Sequence, residues 1–383
     1  MSHPTDFPGS HGNTCERKSM FKKKMYVAGL VVGLLVTTAA CGGDDEKGAD
    51  GKSLTKIVQV NADPGLGATT AFHSSVPEKL GYFKEEGLSV ETRGVQGADA
   101  AAAMVQSGQA DIVQAGGPAM VQFAGDKDDS LVAVYLNKSH SFRFVVPEDS
   151  DIKTAADLKG ATIGVLAMAG PMIQYGKAVV SQGGLDPEKD VKFLPVGLGT
   201  QAAAAFEKGQ IQAYAGADSF NSVIGQLTGQ TMRVISVPSD TLPAFGGWLV
   251  RREMIEKNPE AIIGFIRATL KGLTFANANP EAAVKIHWER YPTSKAADGD
   301  KPEVLAQWAA TIKERIDLAY LGKGPDGFYG TADEKDLAGS LQFQVDAGIL
   351  PKMPDLKQLV DLEFAKQYND FDESGPLDSA KNY

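Results

Sequence analysis

The chain has 383 residues, with 38 Lys and Arg against 48 Asp and Glu, and a formal net charge of −10. That length allows two domains with sizeable cores, and the acidic balance argues against a nucleic-acid partner, which would need a basic face. The two cysteines, Cys15 and Cys41, cannot supply a disulfide framework or a cysteine-rich metal site.

Lys22, Lys23 and Lys24 precede a stretch from Met25 to Ala40 without a charged residue. This basic n-region and apolar h-region fit a secretory signal peptide, being shorter than the about 20 residues a membrane span needs. Thr38-Ala39-Ala40-Cys41 resembles a bacterial lipobox, although the pattern prefers Leu at the position of Thr38. The resemblance implies a signal peptide over residues 1–40 and a lipidated Cys41 as the first mature residue. Residues 41–54, rich in Gly, Asp and Lys, then read as lipid anchor and flexible linker. Cleavage would remove five basic and two acidic residues, leaving about −13, and no second thiol for an internal disulfide. No later stretch is apolar enough to span a bilayer. The expectation is an extracytoplasmic, acidic body held to the cell membrane by a lipid.

From Lys56 the pattern alternates. "KIVQV" predicts a strand, "VPEKLGYFKEEG" a helix stopped by Gly87, and "LSVETRGV" a second strand. An Ala-rich helix and the strand "ADIVQA" follow, at the spacing of βαβ units in a parallel sheet. Residues 101–116, "AAAMVQSGQADIVQAG", and residues 202–216, "AAAAFEKGQIQAYAG", share one design. Each is an Ala-rich helix, a Gly-Gln turn at Gly108 or Gly209, a strand and an Ala-Gly exit, which predicts two α/β lobes of the same build. Beyond Met254 the chain reads as mostly helical. Ile262, Ile263, Ile266, Leu270 and Leu273 fall on one helical face, Pro280 opens the next helix, and the last dozen residues read as a frayed polar tail.

Five loops follow the predicted strands: "NADPGLGATTAFHSS", "AGGPAM", "LAMAGPMIQY", "GLGTQ" and "AGADSFNS". All are rich in small residues that let backbone donors approach a ligand. Gly197-Leu198-Gly199-Thr200-Gln201-Ala202, with Asp218 downstream, satisfies a dinucleotide fingerprint and keeps an enzyme reading open. A lone match is weak, its helix is short, and an exported chain would meet little free nicotinamide cofactor. The histidines after residue 40, His73, His140 and His287, have no metal-ligand spacing, and neither a G-x-S-x-G elbow nor a P-loop occurs. Neither a cofactor nor a metal is expected.

The runs "EKLGYFKEEGLSVE", "QSGQADIVQAGGPAM", "DIKTAADLKGATIGV", "GLDPEKDVKFLPVG" and "AAAAFEKGQIQAYAG" together resemble the solute-binding proteins of ABC importers, in the nitrate/sulfonate/taurine group that also holds binders of the thiamine pyrimidine precursor. The likeness covers roughly residues 55–290. It implies an α/β, two-lobed periplasmic-binding-protein fold of type II with a discontinuous lobe 1 and a helical C-terminal region. Lobe 1 would take residues 55–145 and 246–300, lobe 2 residues 146–245, and the C-terminal helices and polar tail residues 301–383. Gly246 and Gly247 would absorb the dihedral change of lobe closure. The resemblance further implies a monomer that captures a small organic solute and hands it to an ABC permease and ATPase, without catalysis. The ligand set it implies is Asp63, Phe72, His73, Gln114, Gly117, Met168, Gly170, Met172, Tyr175, Thr200, Asp218, Phe220 and Trp248. The solute expected is sulfonate-, taurine- or nitrate-like, with a planar nitrogen heterocycle as the alternative. A sulfonate, taurine or nitrate would sit on helix N-termini, since the five loops carry no Arg or Lys and Arg143 is the nearest guanidinium. A planar nitrogen heterocycle would stack on Phe72, Tyr175 or Trp248 and donate to Asp63 or Asp218. A pyrimidine synthase of the same fold would need a cysteine-rich motif that this chain lacks.

Overall fold

Alternating apolar strands and Ala-rich helices close into two sheets in a computed structural model that describes residues 53–126, 130–168, 171–241, 246–348 and 350–383. Gly170 and residues 1–52, which hold the signal segment, Cys41 and all of the linker but Ser53 and Leu54, fall outside these residues. The first sheet joins β1 (Thr55–Asn61), β2 (Leu88–Gly94), β3 (Ile112–Gly116), β4 (Leu131–Leu136) and β10 (Gly246–Arg251) in the order β2-β1-β3-β10-β4. The second joins β5 (Phe142–Pro147), β6 (Thr162–Val165), β7 (Lys192–Pro195), β8 (Ala213–Ala217) and β9 (Met232–Val234) in the order β7-β6-β8-β5-β9. In each, three neighbouring strands are parallel and a fourth pairs antiparallel with the third: β10, returning from beyond the second sheet, in the first, and β5, the leading strand of its own stretch, in the second.

The internal repeat is structural. Gly108 and Gly209 both turn through the left-handed region, with φ of 76° and 65°. Three residues on, Asp111 and Gln212 play one role. The Asp111 N–H donates to the Val58 carbonyl at 2.8 Å, and its carboxylate accepts from the Val58 N–H at 2.8 Å. Gln212 does the same to Thr162, at 2.9 Å in both directions. Each side chain thus satisfies a backbone donor on the central strand of its parallel trio and fixes the register of the third strand against it.

The helix Pro259–Ala278 buries Ile262, Ile263, Ile266, Leu270 and Leu273, as their spacing predicts. Asn279 caps the helix Pro280–Arg290 by accepting from the Ala282 N–H at 3.0 Å. Two elements differ from the sequence reading. The single helix expected before Gly87 is two short ones, Ser75–Lys79 and Tyr82–Glu85, because Gly81 takes φ 81° between them. The C-terminal tail is the helix Ser374–Asn382, held by burial of Pro376 and Ala380 and by a bond from Asn279 Nδ2 to the Ala380 carbonyl at 2.9 Å.

Gly246 and Gly247 lie inside β10, between β3 and β4, and not in a free hinge segment. A Cβ at Gly247 would fall on the Tyr135 carbonyl oxygen, and one at Gly246 on that of Ala115. The pair answers to a close backbone approach. Gly247→Ala should therefore push β10 off β4 and lower the unfolding free energy by more than ~2 kcal/mol. Urea titration checks this, and a change within ~0.5 kcal/mol would show that the strand moves aside freely.

Candidate ligand cleft

The C-terminal ends of β1 and β3 in one lobe, and of β6, β7 and β8 in the other, carry the Gly-rich loops. In sheets of this build ligands sit outside these ends. The loop after β1 is shaped by its own carboxylate: Asp63 accepts from the N–H groups of Gly65 at 2.9 Å and Gly67 at 2.8 Å. This holds Leu66 in the left-handed region, φ 45°, unusual for a branched side chain. His287, from the helix Pro280–Arg290, secures the same turn, with Nε2 2.5 Å from the Leu66 carbonyl. That carbonyl can only accept, so Nε2 carries the proton and Nδ1 accepts from Ser75 Oγ at 2.9 Å. Burial first of all lowers the His287 pKa to about 4.

Phe72 and His73 end the 3-10 turn Ala68–His73, which sequence reading had left as loop; both are buried. Gln59 on β1 donates through Nε2 to His73 Nδ1 at 2.6 Å, while its Oε1 accepts from Thr92 Oγ1 at 3.3 Å. Burial, then the positive charge of Arg315, lowers the His73 pKa to about 3, so the ring is neutral. Trp248, 1% exposed, stands with its ring 5.2 Å from both His73 and Phe265. It belongs to the lobe 1 core.

In lobe 2, Tyr175 is buried and donates to Asp240 Oδ1 at 2.6 Å. Ser139, between β4 and β5, donates at 2.8 Å to the carbonyl of Asp240, between β9 and β10, so the two segments that join the sheets are tied to each other. Burial raises the Asp240 pKa, and the bond from Tyr175 opposes that. Arg143 on β5 is buried beside them. Its Nη1 donates to the carbonyls of His140 at 3.0 Å and Phe142 at 2.6 Å, and its Nη2 has no partner among the described residues. Met172 and Phe220 are half-buried, the latter packed against the small core under helix Asp218–Thr228. Thr200 is exposed on helix Gly199–Glu207. Met168 is 55% exposed, and Leu166 at 38% and Leu198 at 40% are likewise exposed apolar side chains on the loops after β6 and β7.

Sequence reasoning missed two residues at the cleft, Arg315, which reaches across to lobe 2, and Tyr320, which stays on lobe 1. The helix Pro302–Arg315 is rooted in the lobe 1 core by Ala309 and Ile312, with Ile316 just beyond it. Its end carries Arg315 to Asp218, the first residue of the lobe 2 helix Asp218–Thr228. Arg315 Nε donates to Asp218 Oδ2 at 2.9 Å and its Nη2 to Oδ1, a bidentate pair between the lobes. Burial opposes the Arg315 charge, and Asp218 more than offsets it, so the pKa is raised. Five residues on, Tyr320 packs on Phe72 with ring centroids 4.7 Å apart and accepts from Gln114 Nε2. Burial pushes its phenol up to about 12. Between the helix and lobe 2 runs a polar groove of about 500 Å³, lined by Asn221, Gln226, Gln307, Thr311 and Glu314 among others. Gly117 opens a five-residue helix whose start is covered by the buried side chain of Gln344.

The family described as NMT1/THI5 like matches residues 74–283, more than half of the chain. The chain belongs to the NMT1/THI5-like family. Among curated relatives of this family member is the riboflavin-binding protein RibY of Chloroflexus aurantiacus, 26% identical over 365 residues, which covers 90% of this chain and 98% of that protein. Among solved structures, the periplasmic aliphatic sulphonate binding protein SsuA from Escherichia coli superposes with a TM-score of 0.60 at 18% identity, covering 80% of this chain and 92% of SsuA. The desulfurization enzyme DSZB superposes with a TM-score of 0.53 at 15% identity, over 82% of this chain and 98% of DSZB. These likenesses establish the periplasmic-binding-protein fold, which both binders and an enzyme use.

Proposed function

We propose that this chain is an extracytoplasmic solute-binding receptor, anchored through Cys41, that closes its lobes on a flat nitrogen heterocycle and delivers it to an ABC importer. The observation that carries the ligand class is the Arg315–Asp218 pair: the guanidinium nearest to both lobes is already matched to a carboxylate. Arg143 is engaged by two carbonyls, which leaves its Nη2 for one acceptor atom and not for a full anion clamp. The exposed apolar side chains Leu166, Met168 and Leu198, on the loops at the cleft end of lobe 2, are the kind a ring would cover. RibY, similar over nearly its whole length, is named for binding such a ring. This arrangement favours the heterocycle over the sulfonate, taurine and nitrate class. Residues 53–383 contain no cysteine, so thiol chemistry has no nucleophile in the body of the protein.

A thermal-shift panel of riboflavin, an aminopyrimidine, ethanesulfonate, taurine, nitrate and NAD tests the reading. At a hundredfold excess over its dissociation constant a ligand adds about 2.7 kcal/mol. At ~2–4 °C per kcal/mol that is a rise of several degrees. A ring compound is expected to give it and to be recovered unchanged. A shift with NAD alone, or conversion of the stabilising compound, would overturn the receptor reading.

A further inference from the structure

We propose that Asp218 is the cleft's charge filter: by saturating Arg315 it excludes small anions, and neutralising it alone turns this cleft into an anion site. The proposal rests on the receptor reading above and names the residue that sets its ligand class. Asp218 is 1% exposed and opens an eleven-residue helix, so its carboxylate stands where the helix dipole favours negative charge. Arg315 faces the same point from the other lobe and bonds both carboxylate oxygens. A helix N-terminus and a half-buried guanidinium converging on one spot are the elements of an oxyanion site, and here the protein fills it with its own carboxylate.

The surroundings strengthen the exclusion. Glu314, one residue before Arg315, is half-buried, and its field together with that of Asp218 adds to the negative side. The Asp63 carboxylate acts on Arg315 from the loop after β1. A second anion entering beside Asp218 would meet like charge in a poorly hydrated place, whereas a neutral ring would leave the pair intact. The filter is therefore a property of one carboxylate, separable from the apolar side chains on the loops after β6 and β7.

The experiment compares wild type, Asp218→Asn and the double variant Asp218→Asn/Arg315→Gln in calorimetric titrations with ethanesulfonate and, separately, riboflavin. Asp218→Asn should bind ethanesulfonate at least tenfold more tightly than wild type, and the double variant should lose that gain. Equal sulfonate affinity in wild type and Asp218→Asn, or a gain that survives in the double variant, overturns the filter. Asp218→Asn leaves Arg315 without its carboxylate and is open to folding loss. In that case the readout is recovery of its cooperative melting transition in ethanesulfonate, and no recovery while the double variant folds also overturns the proposal. The riboflavin arm on wild type reads the receptor's ligand class independently. A sulfonate gain in Asp218→Asn without any riboflavin binding would sustain the filter and remove the heterocycle.

Discussion

Acidification from pH 6.5 to pH 4.5 is expected to remove about 5 kcal/mol of stability through His73 and His287 alone, at ~1.36 kcal/mol per pH unit for each. Both rings have folded pKa values below the ordinary 6.5 of histidine, about 3 for His73 and about 4 for His287. The unfolded chain therefore takes up these protons first. The stability is fully present above pH 6.5 and drains away as the pH falls towards the folded values. Asp240 and Glu314 act in the opposite sense, because burial raises their pKa and their protonation favours the folded state, so the net loss is smaller than the histidine share. The slope identifies the cause. Urea unfolding at pH 7.0, 5.5 and 4.5 should show His73→Gln losing roughly half of the histidine-dependent slope, whatever its stability at neutral pH. An unchanged slope would mean that His73 does not titrate in this window.

Trp248→Ala should cost about 3–5 kcal/mol, the range for deleting a buried aromatic ring. The ring is edge-on to His73 and to Phe265, which in turn stacks on Phe83 with centroids 5.6 Å apart, so the cavity would open in the middle of lobe 1. Thermal unfolding of the variant measures the loss. Because the ring is inside the core, the ratio of affinities for a heterocycle and a sulfonate should stay as in the parent protein. A small stability loss with a selective loss of the heterocycle would place the ring in the binding surface instead.

The repeat at the two Gly-Gln turns was readable because a left-handed turn and a following strand are local events, encoded within a dozen residues. The cleft loops were readable for the same reason, as Gly-rich stretches after strands. Trp248, Phe72 and Tyr175 could be listed as aromatic candidates, but which ones face a ligand depends on packing by the helix Pro259–Ala278 and by residues near 320, information that no local pattern contains. Asp218 looked free to accept from a ligand because its partner lies 97 residues further along. Arg315 itself sits on a helix whose spacing of Ala309, Ile312 and Ile316 announces only a core-facing stripe. The chemistry of this site is a meeting of distant segments, and sequence spacing is blind to such meetings.

The placement of β10 also governs the order in which the lobes can be completed. Lobe 2 draws its whole sheet from the continuous stretch between Phe142 and Val234. Lobe 1 cannot: β4, buried along its entire length, pairs within its sheet with β10 alone, and β10 arrives more than a hundred residues later. As the chain emerges from its N-terminal end, the smaller-span lobe has all its pairings available while β4 is still a bare apolar strand. Its contact order is lower, and its loop-closure cost is met earlier. The larger lobe is then assembled around a finished neighbour, with β10 inserted between β3 and β4 as a late keystone, and the interval before that insertion is when the nascent chain is most exposed to aggregation through β4.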